Sequence, residues 1–202
     1  MKLNIEPSGA TRASYAQFDA MNETSCVSVL PFAMERQLLS HWCWAAIASS
    51  MQTYYDKGTG GQECVASLVL DKDCSLMLRG ASGLEEINRD AMLDHALKAV
   101  HCFSHWSPEK PAFERIVIEI DAARPLCVCL EWKHGGNHYA VIVGYSSDTR
   151  ELYLQDPLHE ASVQPYDAFP GEYRSEGAYW RGTYWTAEQA GDSVSAIKGS
   201  DK

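Results

Sequence analysis

At 202 residues the chain is long enough for one compact domain, or for two lobes sharing a cleft, and too short for two large independent domains. A 46% hydrophobic fraction, 22% charged residues, six Trp and ten Tyr exclude a disordered chain. The net charge of −10, from 17 basic and 27 acidic side chains, argues against nucleic acid as a partner, because phosphates need Lys and Arg to neutralise them.

The elements follow in chain order. Residues 1–29 carry Pro, Gly, Ser and Thr without periodicity and read as a loose arm. The arm has no continuous apolar core, so it does not read as a signal peptide, and no run approaches the ~20 apolar residues that span a bilayer. The expected location is the cytoplasm of the producing cell, and a polar start is compatible with export by a dedicated secretion machine. Trp42–Tyr55, rich in Ala, Met and aromatics, predicts a helix buried on more than one face. Residues 63–72 predict a shorter helix. Residues 83–100 predict a third, with Leu84, Ile87, Ala91 and Leu97 near one face and Ser82 and Glu85 as a capping box. Phe113, Ile116, Val117 and Ile120 follow Pro111 at amphipathic spacing, and that helix should stop before Pro125.

Past Pro125 the texture changes. Residues 126–132, 138–145, 151–156, 161–166 and 178–186 are β-branched or aromatic runs separated by Gly, Asp, Ser and Pro. The expectation is an α+β fold. A helical lobe covers about 30–122, an antiparallel sheet lobe about 123–187, and residues 188–202 form a flexible tail.

The seven cysteines are an odd number in a chain that is not small, so reduced thiols are expected and one is free to be a nucleophile. Cys43 starts the strongest helix, where unpaired N–H groups and the helix dipole favour a thiolate. Cys127 and Cys129 lie two apart in a strand and read as small core residues. His138 opens a strand after Gly135 and Gly136, where it is either a held base or decoration on a hairpin. Asp156 ends the next strand, so antiparallel pairing can lay it beside His138; Asp before Pro is also an ordinary turn starter. Gln37, six residues before Cys43, is either an oxyanion donor or a surface amide. Residues 101–105 and 127–129 contain metal-ligand types without paired spacing, so no metal is expected.

QLLSHWCWAA at 37–46 resembles the segment of papain-like cysteine peptidases in which Gln lies six positions before the nucleophile and Trp follows it. GGNHYAVIVGY at 135–145 resembles their histidine strand, LQDP at 154–157 the strand end with the third residue, and IDAARPLCV at 120–128 the approach to the histidine strand. The resemblance covers about residues 30–186 and is greatest to compact bacterial effector-type peptidases, more distantly to bacteriocin leader peptidases. HisTrpCysTrp stands where plant papains have CysGlySerCysTrp, and Asp156 where they have Asn. The resemblance implies a papain-like fold with the cleft between its lobes. It implies a cysteine-type endopeptidase with Cys43, His138, Asp156 and Gln37 in the four roles, a protein or peptide substrate and no cofactor. Trp180 and Trp185 are the candidates to shield the His–Asp pair. Two rivals use the same residues: another acyl transfer on this fold (transpeptidase, deamidase or phytochelatin-synthase-like transferase), and a binding module without turnover. Product analysis separates the first from hydrolysis, and labelling by a thiol reagent separates the second.

Overall fold

The computed structural model describes residues 27–58, 60–80 and 83–189. The arm up to residue 26, the expected cap Ser82 and the tail from residue 190 lie outside them.

Five helices come first: α1 (Cys43–Tyr54), α2 (Gly61–Leu70), α3 (Cys74–Arg79), α4 (Leu84–Ile87) and α5 (Leu93–Ala99). Helix α6 (Phe113–Asp121) precedes most of the sheet. The strands are β1 (Val27–Val29), β2 (Phe103–Ser107), β3 (Leu126–Trp132), β4 (Asn137–Ser146), β5 (Glu151–Gln155), β6 (Ser162–Pro165) and β7 (Ala178–Thr186). They pair antiparallel in the order β2-β7-β3-β4-β5-β6, and β1, the end of the expected arm, adds to β4.

Strand alternation divides the core in two. Cys127 and Cys129 of β3 and Tyr139, Val141 and Val143 of β4 join the core built with α1, α2 and α5. Leu126, Val128 and Leu130 of β3 and Ala140 and Ile142 of β4 face the other way, onto Phe113, Ile116 and Ile120 of α6. Period-two alternation between two covered faces explains why β3 and β4 read as nearly continuous apolar runs. It also moves the expected lobe boundary. Residues 103–121 were expected in the helical lobe, yet β2 is the sheet's edge strand on β7 and α6 covers the face away from α1. The apolar stripe of α6 matches that face.

Helix α1 is buried from Cys43 to Met51, and each large side chain such as Ile47 or Met51 contributes about 1.5–3 kcal/mol by leaving water. Its far end is fastened to the sheet side. The Tyr54 hydroxyl donates to Ala123 O at 3.1 Å, and Tyr55 pairs with Thr186 Oγ1 at 2.8 Å. Near its start, the chain before α1 crosses to the turn after β5: Gln37 N–H donates to Pro157 O at 2.9 Å and Arg36 Nη2 to Leu158 O at 2.8 Å.

The single helix expected over 83–100 is two short helices separated by a loop. Tertiary hydrogen bonds capture the backbone between them. Trp42 Nε1 donates to Ile87 O at 2.8 Å and Trp44 Nε1 to Arg89 O at 3.0 Å. Asn88 exchanges bonds with His41 N–H and Ser40 Oγ. Those bonds outweigh the modest propensity of a polar stretch, INRDA, to stay helical. Among the described residues no helix is long and apolar enough to cross a membrane.

Candidate active site

The two indoles that bind the loop flank Cys43, so the start of α1 and the loop after α4 are locked together. No side chain caps α1 and its first turn holds no acidic residue, which leaves the positive end of the helix open to negative charge at Cys43. Cys43 itself is 7% exposed.

His138 is carried by the second residue of β4. The turn before it needs positive φ at Gly135 (+96°) and Gly136 (+89°), a conformation that glycine adopts without steric cost. Register then sets the neighbours. Val141 lies opposite Gln155, so the residue after β5, Asp156, sits beside the start of β4. His138 Nε2 donates to Asp156 Oδ1 at 2.9 Å, both side chains being buried, and Cys43 is the other group that raises the pKa of His138, which places its thiol beside the ring. With Nε2 committed to Asp156, Nδ1 is the nitrogen that meets the sulfur.

Burial opposes charge on His138, but the hydrogen bonds and charges of Asp156 and Cys43 outweigh it and push its pKa up to about 9. Burial likewise opposes charge on Asp156. Its bond to His138 and its other donors hold the carboxyl well below the usual range. Those donors are Leu158 N–H and His159 N–H on Oδ1, at 2.8 and 2.9 Å, and the Tyr173 hydroxyl on Oδ2 at 2.7 Å.

Two aromatic rings complete the pair's surroundings. Trp132 stacks on His138, with centroids 5.7 Å apart and planes 21° apart. Tyr173 stacks in turn on Trp132, at 5.9 Å and 5°. The residues expected as shields are elsewhere. Trp180 donates to Thr183 Oγ1 and meets Phe169 edge-on, and Trp185 stacks on His105. Register is the reason. Leu130 lies opposite His138, and Trp132, two residues on, points from the same face as its diagonal neighbour.

Gln37 departs from expectation. Its Nε2 donates to Leu39 O at 3.0 Å and to Ser40 O at 2.8 Å, within the turn that leads into α1, and its Oε1 is buried without a partner among the described residues.

The other described cysteines have different surroundings. Burial pushes the thiols of Cys129 up to about 11 and Cys102 up to about 12, and that of Cys127 further still. Cys74 is raised by burial, and Cys64 is exposed. Beside Cys43 opens a pocket of about 300 Å³, lined by Trp44, Ala91, Met92, Asn137 and Tyr139 among others. It adjoins a second of about 360 Å³ through Met92, Asn137 and Tyr139. A thiol beside an imidazole whose other nitrogen is held by a buried carboxylate can act as a nucleophile toward a carbonyl bound in that pocket.

A family model described as "Papain-like cysteine protease AvrRpt2" matches residues 27–194. Among solved structures, similarity extends to a double glycine motif protease from an AMS/PCAT transporter in complex with the leader peptide, at 12% identity over 79% of this chain and 94% of that one, TM-score 0.44. Xylellain, a cysteine protease from Xylella fastidiosa, aligns at 11% identity over 81% of this chain and 86% of its own, TM-score 0.49. The Pseudomonas avirulence protein AvrPphB aligns at 10% identity over 77% and 97%, TM-score 0.36. No curated protein matches the chain.

Proposed function

The chain belongs to the AvrRpt2 family of papain-like cysteine proteases, and from that premise we propose that it hydrolyses peptide bonds with Cys43, His138 and Asp156 as its triad. The observation that carries the assignment is the buried His138–Asp156 hydrogen bond with the Cys43 thiol beside the imidazole at the open N-terminus of α1. His138 takes the proton from Cys43, and the thiolate forms a bond to the peptide carbonyl carbon. His138 then protonates the leaving amine. Water, deprotonated by the same imidazole, breaks the thioester and releases the acid. Asp156 holds the imidazole in one tautomer throughout.

The test is proteome-wide mapping of new N-termini made by the wild type and by Cys43→Ala. Termini specific to the wild type support hydrolysis. Amide loss or ligated products without new termini would replace this reading with another acyl transfer. The proposed setting is an effector or toxin delivered to another cell, on the ground of the family alone; detection of the tagged protein inside recipient cells tests it.

The oxyanion needs two donors. The Cys43 backbone N–H at the helix start is one. Gln37 is the other, exchanging its longer bond, to Leu39 O, for the oxyanion as the tetrahedral intermediate forms. Catalytic hydrogen bonds often tighten only in the substrate complex. Gln37→Ala should therefore lower kcat by about 10²–10³-fold with a melting temperature near wild type. A lowered melting temperature with kcat unchanged would make Gln37 a turn residue only.

The pH profile has a defined alkaline side. The reactive pair requires a proton on His138, so kcat/KM should fall as pH rises through about 9. That limb lies well above the ordinary histidine value near 6.5. The pH dependence of kcat/KM on a peptide substrate, whose leaving amine needs that proton, measures it, and a limb near 6.5 would contradict the paired geometry.

A further inference from the structure

We propose that Tyr173 is a positioning residue for the Asp156 carboxylate, and through Trp132 for the His138 ring. The inference rests on the triad reading above and adds a member that nothing in the sequence pointed to.

A carboxylate turns about its Cβ–Cγ bond unless both oxygens are held. Oδ1 of Asp156 accepts from His138 Nε2, Leu158 N–H and His159 N–H, all of which pivot on one atom. Oδ2 accepts from the Tyr173 hydroxyl at 2.7 Å, and that second point fixes the plane in which Oδ1 faces the imidazole. The donor is itself immobile. Tyr173 is wholly buried, with Phe169 edge-on to its ring at 5.3 Å and the Arg174 guanidinium over the ring at 4.9 Å. It is also a constant donor, since burial and the neighbouring Asp156 raise its pKa far above neutrality.

The same ring acts a second time. Tyr173 lies parallel to Trp132, and Trp132 lies against His138. The contacts close a circuit in which Asp156 binds His138 and Tyr173, and Trp132 stacks on both. A side chain that only filled the core would satisfy its hydroxyl on any nearby acceptor. Here the hydroxyl goes to the one carboxylate oxygen that has no other donor among the described residues.

The experiment is a double-mutant cycle on the full chain, with Tyr173→Phe, Asp156→Ala and the double variant. Rates are normalised to sites titrated by a thiol reagent, so that unfolded molecules are not counted. Tyr173→Phe keeps the ring and removes one charged hydrogen bond, so kcat should fall about tenfold with KM within about twofold. The alkaline limb of kcat/KM should move down by about half a pH unit, because a loosened carboxylate stabilises the imidazolium less. In the Asp156→Ala background the same substitution should change kcat by less than about twofold, because the effect runs through Asp156. Wild-type kcat and limb in Tyr173→Phe would overturn the inference, as would an equal tenfold loss in the Asp156→Ala background. Near-wild-type kcat in Asp156→Ala would instead sink the triad reading on which it stands.

Discussion

Cys43→Ala should leave hydrolysis at or below about 10⁻⁴ of the wild-type kcat/KM, the scale of losing a nucleophile that works as one unit with its base. In the proposed mechanism the sulfur forms the acyl bond, and no other described thiol shares its setting at a helix start beside His138. Cys102, Cys127 and Cys129 are buried with raised pKa values, and no hydrogen bond joins Cys64 to a histidine among the described residues. The substitution is small enough to preserve the fold. Oxyanion donors and substrate binding remain in the variant, so a faint residual rate is expected. Retention of a hundredth or more of wild-type activity, with a matched circular-dichroism spectrum, would assign the nucleophile elsewhere.

The second large effect concerns Asp156. Asp156→Ala should lower kcat by about 10²–10⁴-fold and reduce stability by about 3–5 kcal/mol at acid to neutral pH, because it strands a buried imidazole that was held charged. In the wild type the folded-state pKa of His138 is raised to about 9. The stabilisation from that proton is complete below the unfolded value near 6.5 and is lost as pH rises through 9. Without Asp156, burial dominates and the imidazole discharges at lower pH. The melting temperatures of wild type and variant should therefore differ most below pH 6.5 and converge above 9. Asp156→Asn should cost less than Asp156→Ala. Its amide oxygen can accept the three N–H donors now on Oδ1, while its NH₂ donates to the Tyr173 hydroxyl, which can turn to accept. If asparagine is no better than alanine, charge rather than orientation is what His138 requires.

Much of this arrangement was legible before any fold was known. Helix α1 announced itself by composition and β3 to β7 by residue type and punctuation, while resemblance to papain-like peptidases singled out Cys43, His138 and Asp156, which the structure brings together. What could not be read depends on partners distant in the chain. The chain leaves the helix after α4 where Trp42 and Trp44 claim the carbonyls of Ile87 and Arg89, and no window of local sequence contains that fact. Strand β2 carries a register shift between Phe103 and His105 that breaks the alternation by which a strand is recognised. Helix α3 had one local sign, Asp73, whose side chain accepts from Leu76 N–H. Trp132 could have been found from the turn alone. Once Gly135 and Gly136 close the hairpin, the tryptophan lies on the face of His138 at a diagonal position. Tyr173 had no such sign, because it arrives from an irregular segment after β6.

The way α1 is fastened bears on what can be cut. Its first residue meets the sheet side at His138, and its last turn is bonded there through Tyr54 and Tyr55. Bonds at its far end oppose a swing of the helix, and the pocket beside Cys43 is small, about 300 Å³. A helix, about 10 Å across with its side chains, fits a space of that volume less well than a stretched single strand. An extended, loosely held substrate segment is the expected outcome. Scissile bonds should lie in linkers, termini and unfolded stretches, and a compact target should be severed at its seams and left otherwise whole.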